Sequence, residues 1–443
     1  MAFTEFCCRS GGSNLNAGTR TGNSTEPGTG ANLTYASGSW VAATGVFTVA
    51  SGDPLADGVV AGDFASVYAD GSTVTGFVGR VTASDATTIT VSLTAKSGTA
   101  PTDGTNTRTL KIGGAWKGPN AAEGFPFGFI QSTLTNAAAD PPRINFKNDA
   151  TYSITAATTG GNAGLIIWQG YTSAYADLGK ATIDGGVAGA SYVLLTLSGT
   201  NQNLIDFIGQ NNGATGNAAG ILISGAGCTT KRVVVNNVRG RGLVLSSVGG
   251  VAVECEAYAC VQANIGGIGG IQFDRYSVGI RCVSHNNAGS NVNGIFVSGT
   301  NNTSLIDCIS ESNGLYGIYS EAGSNGVLSL KNCDIYNNTG DGFRHVVSTL
   351  NINFENCNFI KNGGYGINRA SGTIFGEIVN CGFGAGTQVN VSGNTNSLQS
   401  VVETGSINYP ADVTPWVDPA NGDFRINLGN AKGTGRGTFT ETQ

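Results

Sequence analysis

The stretch Leu305-Ile306-Asp307-Cys308 returns with small changes along the second half of the chain. Its counterparts are Leu330-Lys331-Asn332-Cys333, Phe354-Glu355-Asn356-Cys357 and Ile378-Val379-Asn380-Cys381. The cysteines at 255, 282, 308, 333, 357 and 381 are separated by 27, 26, 25, 24 and 24 residues. An apolar residue pattern that recurs at a nearly fixed period indicates structural repeats that stack on one another.

A period of 24 to 27 residues fits three short strands and three turns in each repeat, with ~4–5 residues a strand and ~3 a turn. The Leu-x-x-Leu-x-Leu frame of a leucine-rich repeat is missing. The period therefore predicts an all-β protein whose main part is a parallel β-helix. In that fold each coil bonds to the next at ~4.8 Å, so equivalent residues stack in columns.

Each column predicts a local structure. The cysteines are expected to form an inward column of small apolar side chains. Asparagine tolerates the left-handed backbone of tight turns and can bond to the amide of the next coil. Glycines after each turn are expected at bends with positive φ. The asparagines that follow these two patterns are Asn332, Asn356 and Asn380, and separately Asn287, Asn313, Asn338 and Asn362.

Weaker copies of the repeat lie upstream, at Leu204-Ile205-Asp206-Phe207, Val233-Val234-Val235-Asn236 and Ala181-Thr182-Ile183-Asp184. We therefore expect about ten coils, beginning near residue 143 and ending near 395. The domain prediction places the β-helix at 113–395, with an amino-terminal cap before residue 143 and a short helix at about 121–135. A carboxy-terminal cap is predicted at 396–443, because exposed coil ends invite aggregation.

Residues 1–112 follow a different pattern. Short apolar runs that begin at Val46, Phe64, Phe77 and Thr88 alternate with Gly/Asp turns. This arrangement is typical of antiparallel strands and predicts a small barrel or sandwich. We expect this module to serve as an attachment domain.

Composition excludes several classes of protein. Charged residues make up 12% of the chain and the net charge is −6, so a role in nucleic-acid binding is disfavoured. No run of 18 apolar residues is present, and membrane insertion is not expected. The first residues lack the basic and apolar regions of a secretory leader, so we expect synthesis in a reducing cytosol. The ten cysteines are then predicted to be free thiols.

These repeats resemble the right-handed parallel β-helix superfamily of pectate lyases and phage tailspikes. The run from Thr414 to Arg425 is similar to a closing motif of β-helix repeat proteins from bacteria and phages, but the Ser-Pro-Ala-Ile-Asp-Ala-Gly-like continuation is replaced by Gly429-Asn430-Ala431-Lys432-Gly433. Two further runs, Phe6 to Thr19 and Gly113 to Asn120, resemble phage and environmental bacterial β-helix proteins. The resemblance implies a component of a virion.

The sequence predicts no catalytic, cofactor-binding or metal-binding residue. An enzyme of this fold would be a polysaccharide lyase or a hydrolase, and a hydrolase needs two nearby carboxylates. Glu254 and Asp307 share a column that fades into asparagines, and Glu256 is predicted to face solvent beside Cys255. Other candidates have structural interpretations: a cross-coil pair (Lys331 and Glu355), solvated turns (Arg232, Arg239, Arg241), turn residues (Asp274, Arg275, Asp341), and histidines too far apart to meet (His285, His345).

Two interpretations stay open beside these. The vicinal pair Cys7 and Cys8 is expected in an ordinary strand, with metal binding or cross-linking as the alternative. Four tyrosines, Tyr316, Tyr319, Tyr336 and Tyr365, are expected to pack on turns and faces, with a sugar-stacking stripe as the alternative.

The leading hypothesis is a non-enzymatic structural protein of a phage virion, a capsid decoration or fibre component. Its expected partners are virion proteins, contacted through the amino-terminal module, two further copies of the chain in a homotrimer, and a host surface glycan. A tailspike-like polysaccharide depolymerase is the first alternative. A bacterial surface adhesin is the second.

Overall fold

The computed structural model describes most of the chain and divides it into two compact units, Met1–Gly185 with Leu195–Ile208, and Gly186–Leu194 with Gly209–Gln443. The described residues are 4–9, 32–70, 77–113, 141–154, 157–160, 164–175, 177–186, 192–212, 218–260, 268–287, 289, 291–299, 302–322, 326–347, 349–371, 373–384, 389–390, 401–404, 407–409, 416–418 and 423–426. Every regular element among them is a β-strand. The predicted helix at 121–135 lies outside the described residues.

The first unit contains a closed antiparallel barrel, which confirms the predicted amino-terminal β module. Its core includes Trp40, Phe47 and Phe77, each with no more than 1% of its surface exposed, and the Trp40 indole donates a hydrogen bond to the carbonyl of Pro101 at 3.0 Å. Six strands form the barrel: Leu33–Val41, Val46–Thr48, Phe64–Ala69, Phe77–Ser84, Thr88–Gly98 and Gly104–Ile112.

The first unit also holds the first coils of the β-helix, built from three parallel sheets named here in the order in which the chain visits them. Sheet 1 contains Thr4–Cys8, Pro142–Lys147, Ile166–Tyr171 and Gln202–Ile205. Sheet 2 contains Tyr152–Ser153, Ala181–Asp184 and Phe207–Gln210, which begins in this unit. Sheet 3 contains Thr158–Gly160 and Leu195–Leu197.

The strand Thr4–Cys8 belongs to sheet 1 and not to the barrel, although it precedes the barrel in the chain. It pairs in parallel with Pro142–Lys147. Phe6 packs edge-on against Phe64 of the barrel, with 5.0 Å between ring centroids. The first six described residues thus connect the barrel with the first coil. The predicted boundaries at 112 and 395 stay predictions.

In the second unit the same three sheets continue through eight coils among the described residues. Sheet 1 contains Thr229–Lys231, Val251–Val253, Val278–Ile280, Thr303–Ile306, Gly326–Lys331, Thr349–Glu355, Thr373–Val379 and Val401–Thr404. Sheet 2 contains Val234–Asn236, Glu256–Tyr258, Val283–His285, Ile309–Glu311, Asp334–Tyr336, Asn358–Ile360, Gly382–Gly384 and Ile407–Tyr409. Sheet 3 contains Ile221–Ile223, Leu243–Leu245, Ile268–Phe273, Val292–Gly299, Ile318–Ala322, Phe343–His345, Ile367–Arg369 and Val389–Asn390.

Within the predicted carboxy-terminal cap, the strands Trp416–Asp418 and Asp423–Ile426 form an antiparallel pair. The parallel solenoid itself confirms the fold predicted from the repeat period.

The corner between sheets 1 and 2 consists of two residues, such as Asp307 and Cys308, and we call it the first corner. The six cysteines of the first-corner column are buried and free, which confirms the predicted inward column. Five of these thiols donate to a sheet 1 carbonyl of the preceding coil, as from Cys333 to Leu305 at 3.4 Å. Burial raises the pKa of the Cys308 thiol well above its usual value, so this thiol stays protonated.

The residue before each cysteine adopts a left-handed backbone, with φ near +50° to +60°. Asn332, Asn356 and Asn380 behave as predicted, and the Asn356 amide donates to the Asn332 side chain at 3.2 Å. The same conformation is imposed on charged residues in the earlier coils, as at Glu254 and Arg281. A left-handed backbone lowers the stability of the fold where the side chain lacks a short polar group, as glutamate and arginine do.

The second asparagine column differs from the prediction in its backbone, while its side-chain amides bond to the next coil as predicted. Asn287, Asn313, Asn338 and Asn362 are buried, and the left-handed residue is the one before each of them. Their side-chain amides form a continuous inner ladder, with 2.8 Å from Asn287 to Asn313 and 2.9 Å at the next two steps. This ladder lines the corner between sheets 2 and 3, which we call the second corner.

The prediction for the glycines that follow this corner is wrong, since Gly317 does not have a positive φ. Glycine is needed there for space: a Cβ at Gly317 would lie 2.7 Å from the Asn338 amide nitrogen. The inner ladder therefore determines the glycine, because nothing larger fits against it.

We expect Asn356→Val to destabilise the fold by about 2 kcal/mol, because a β-branched residue tolerates a positive φ poorly. Asn356→Gly should be close to neutral. Asn353→Val is the matched control, since Asn353 is exposed in the middle of Thr349–Glu355 and valine favours strands. The check is the urea midpoint of each variant, and equal midpoints for the two valine variants would contradict the argument.

Candidate functional site

The outward column of sheet 3 carries a row of stacked aromatic rings. Phe296 pairs in register with Tyr319, and their rings stack at 5.7 Å. Tyr316, from the second corner of the same coil, stacks on Tyr319 at 5.6 Å and 12°. Arg344 follows in the column, and its guanidinium lies 4.7 Å above the Tyr316 ring. We call Phe296, Tyr316, Tyr319 and Arg344 the aromatic platform.

A buried carboxylate holds the arginine of the platform in place. Asp341 accepts hydrogen bonds from Arg344 at 3.2 Å and from the amide of Asn368 at 2.7 Å. Its other oxygen accepts from the backbone N–H of Tyr365 at 2.8 Å. Asp341 is therefore more than the turn residue that the sequence predicts. Since Arg344 carries five N–H donors, several remain for a ligand.

The tyrosines of the platform are half-buried and neutral. Burial, with the nearby Glu321 carboxylate, raises the pKa of Tyr319 to about 12. The Tyr319 hydroxyl donates to Glu321 at 3.0 Å. Tyr316 lies over Gly340, where a Cβ would come within 2.8 Å of the ring. The glycine thus leaves room for the ring to lie flat against the coil.

Sheet 2 carries a second polar group on its outward face, which we call the His285 cluster: Glu256, Tyr258, His285 and Glu311. The strands that carry them bury their middle residues, so these four side chains point outward. The Nε2 atom of His285 lies 2.8 Å from a Glu256 carboxylate oxygen, and Nδ1 lies 2.9 Å from the Asn286 amide. Tyr258 stacks on the imidazole at 5.2 Å.

Glu311 is the most perturbed carboxyl of this cluster. It pairs in register with His285 on one side and with Tyr336 on the other. Burial raises the pKa of Glu311 to about 7, against an opposing effect of His285. A carboxyl with this pKa exchanges its proton near neutral pH, which is the condition for a general acid.

The two surfaces flank one corner of the solenoid. Glu311 ends a sheet 2 strand, Tyr316 lies in the second corner that follows, and Tyr319 is in the next strand of sheet 3. The buried Asn313 holds this corner through bonds to the coils before and after it. The platform and the His285 cluster therefore share a rigid support.

Sequence reasoning missed the His285 cluster and favoured simple packing for the tyrosines. Counting from the cysteines finds both: Tyr258, His285, Glu311 and Tyr336 each follow a column cysteine by three residues. Tyr319, Arg344 and Asn368 each follow one by eleven. Tyr336 is buried on sheet 2, and the backbone N–H of Tyr365 donates to Asp341, which in turn binds Arg344 of the platform.

The first corner carries charges that alternate in sign. Glu254 lies between Arg232 at 3.9 Å and Arg281 at 2.5 Å. The next residue of the column, Asp307, accepts from the Asn332 amide at 2.9 Å. These contacts satisfy the charges within the ladder and make this column a structural element.

The remaining candidates have structural positions. Lys331 and Glu355 form the predicted cross-coil ion pair at 3.1 Å. His285 faces outward from sheet 2, whereas His345 is buried in sheet 3, so the two are separate as predicted. Cys7 and Cys8 are buried in a strand, and Cys7 contacts the Tyr171 hydroxyl at 3.1 Å.

Asp274 occupies a turn and accepts from the N–H of Arg275 at 2.8 Å. The N–H of Arg239 donates to Asn212 at 2.8 Å. Across the described ranges, no three His, Cys, Asp or Glu side chains are arranged to hold a metal ion. Nor does any helix in those ranges have the length and apolar character of a membrane span.

The three parallel sheets and their stacked columns define a β-helix protein with an amino-terminal antiparallel barrel. Residues 219–395 match the family described as right handed beta helix region. The solenoid is therefore a right-handed parallel β-helix. No curated protein matches the chain by sequence.

Solved structures of similar fold include three proteins that act on polysaccharides. Pectate lyase Pel9A is 16% identical and covers 72% of this chain and 84% of its own, with a TM-score of 0.44. The tailspike gp49 of Acinetobacter baumannii bacteriophage Fri1, a capsular polysaccharide depolymerase, is 12% identical. The match covers 81% of this chain and 73% of the tailspike, with a TM-score of 0.47. A mannuronic acid specific polysaccharide family 6 lyase from human gut microbiota is 14% identical. The match covers 66% of this chain and 80% of the lyase, with a TM-score of 0.37. These likenesses concern the fold alone.

Reversing the charge of Arg281 should destabilise the solenoid, because Arg281→Glu would place a third carboxylate between Glu254 and Asp307. We expect the free energy of unfolding to fall by about 1 kcal/mol at low salt and by less in 1 M salt. Arg281→Asn should change little, since asparagine accepts the left-handed backbone and completes the ladder. The measurement is the urea midpoint of each variant at low and high salt. A loss of stability that is the same at both salt concentrations would argue against an electrostatic cause.

Proposed function

We propose that the protein binds a polysaccharide through the aromatic platform and so attaches the particle that carries it to a glycan-coated surface. The observation that carries this proposal is the stack of near-parallel rings in which Tyr316 and Tyr319 are half-buried and Phe296 is buried, with the Arg344 guanidinium over the Tyr316 ring. Stacked rings offer flat apolar faces for sugar rings. Polar groups at their edge, such as the Arg344 guanidinium and the exposed Glu321, can fix the orientation of hydroxyl groups.

The charges around the platform favour a sugar over a nucleic acid. Aromatic faces also stack on nucleobases, but nucleic-acid affinity depends mainly on cations that neutralise phosphates. Here Asp341 engages the arginine, Glu321 adds a carboxylate, and the whole chain carries a net charge of −6. A hydroxyl-rich polymer fits this surface better than a phosphodiester.

The proposal places the protein on a phage virion, as a spike or decoration whose barrel docks on the particle. Support comes from the distinct topology of the antiparallel barrel, which precedes most of the solenoid, and from the exposed apolar side chains Val41, Leu55 and Val60. Exposed apolar residues mark a surface that contacts other proteins where they form one contiguous patch. We further propose that the chain assembles as a homotrimer, as solenoid spikes with one long flat face can.

We expect Tyr319→Ala to weaken polysaccharide binding at least tenfold, because it removes the central ring of the platform. Tyr276→Ala is the matched control: Tyr276 is 50% exposed on a turn away from the platform, so its loss should leave binding unchanged. The measurement is binding to an array of purified bacterial capsular and O-antigen polysaccharides. Wild-type protein that binds none of them, or two variants equally impaired, would overturn the proposal.

The virion assignment predicts that the chain occupies regular, symmetry-related positions on purified particles, with the barrel nearest the particle. Cryo-electron microscopy of native particles from the source shows where the chain lies on the particle. Mass spectrometry of the same particles is the control, because it tests whether the chain is present in them. A chain that is found free in the lysate and is missing from purified particles would contradict the assignment.

A further inference from the structure

The His285 cluster takes no part in the binding surface, yet it brings two carboxylates and an imidazole to the outward face of sheet 2. We propose that Glu311 and Glu256, on either side of His285, are the general acid and the general base of a hydrolytic site. This inference rests on the proposed function, because its substrate is the polysaccharide bound at the aromatic platform.

The strand register brings these side chains together. Glu311 is the direct neighbour of His285, and Glu256 meets the imidazole of His285 at 2.8 Å. Glu256 and Glu311 stand two strands apart and are offset by two residues along the strands, so their backbones are about 12 Å apart at ~4.8 Å between strands and ~3.3 Å a residue. The carboxyl groups of an inverting pair lie ~6.5–9.5 Å apart, with a sugar and a water between them. Two glutamate side chains are long enough to reach that separation from these backbone positions.

His285 acts as a positioning residue. The Asn286 amide donates to Nδ1 at 2.9 Å, so Nε2 carries the proton and donates to Glu256. Tyr258 covers one face of the imidazole at 5.2 Å. These contacts fix one oxygen of Glu256 and leave the other for a water molecule.

The surroundings of Glu311 suit an acid. The groups that face it are His285 from one strand and Tyr336 from the other. Tyr258 lies beyond His285 in the same column, and Glu256 contacts the far side of the His285 imidazole. Within the described part of the chain, no side chain hydrogen-bonds the Glu311 carboxyl. Burial raises the pKa of Glu311 to about 7, and much of it is therefore protonated at neutral pH.

The reaction balances with water as the second substrate. Protonated Glu311 donates its proton to the glycosidic oxygen as the bond between this oxygen and the anomeric carbon breaks. Water attacks the anomeric carbon, and Glu256 takes its proton. The products are two shorter chains, one with a new reducing end, and proton exchange with solvent restores both carboxyls.

The position of the cluster gives independent support. Tyr316 of the platform and Glu311 lie in one coil, joined by the second corner, which the buried amide of Asn313 holds rigid. A polymer that stacks on Tyr316 and Tyr319 and continues around this corner reaches Glu311. Binding and cleavage would then act on neighbouring units of one chain.

The test is the release of reducing ends from each polysaccharide of the same array, whether or not it is bound. We expect wild-type cleavage of the bound polysaccharide, with a rate that falls as pH rises through about 7 and Glu311 loses its proton. Glu311→Gln and Glu256→Gln should each lower the rate at least 100-fold without loss of binding. Glu377→Gln, the same change on the exposed face of sheet 1, should match the wild type.

Retained binding shows that a variant is folded, so a lost rate cannot be assigned to misfolding. Wild-type protein that binds but releases no reducing ends, or a Glu311→Gln variant with the full rate, would overturn the hydrolytic site and leave the binding proposal standing. Cleavage that survives Tyr319→Ala with no change in KM would instead remove the platform from the substrate path.

Discussion

The structure depends on the parallel hydrogen-bonded register between successive coils. Each residue lies one strand spacing from its counterpart in the next coil, so each column must hold side chains that tolerate their own copies as neighbours. Cysteine meets this demand inside, since its small thiol packs and also donates to a carbonyl of the coil before. Asparagine meets it at the second corner, since each side-chain amide donates to the asparagine of the next coil and accepts from that of the coil before. Buried side-chain amides would be costly if left unpaired, and the continuous inner ladder pairs them.

The first corner shows how the same constraint accepts different chemistry. Its backbone is left-handed at each first corner from Arg232 to Asn380, which suits Asn332 and Asn356 but strains Glu254 and Arg281. In the charged coils, alternating signs replace the amide-to-amide bonds, so each carboxylate has a neighbouring guanidinium. The corner is thus stabilised either by local backbone preference with amide bonds or by ion pairs that offset a poor preference. The ionic version depends more on salt, because part of it is exposed to solvent.

The repeat period and the cysteine spacing were sufficient to predict the solenoid, its inward thiols and the pair of Lys331 and Glu355. The glycines were misjudged, because a backbone bend and a close approach to the Asn338 amide both require glycine and only the structure separates them. The pairing of Thr4–Cys8 with Pro142–Lys147 could not be foreseen, since the whole barrel lies between them. The His285 cluster was overlooked because acids were sought in the column before the cysteines, whereas Glu311 lies three residues after one.

Regularity inside the solenoid and variety outside it have different causes. Inner columns repeat because each must pack on itself within the core, but an outer column points away from that core and can change from coil to coil. The outer column of sheet 3 runs from Gln272 through Phe296 and Tyr319 to Arg344, and that of sheet 2 from Tyr258 through His285 to Glu311. In both columns the residue type changes within the same coils, and the two columns lie on either side of the second corner. A scaffold that is already ordered loses little entropy on binding, so side chains fixed on this rigid corner can engage a long polymer without first ordering a loop.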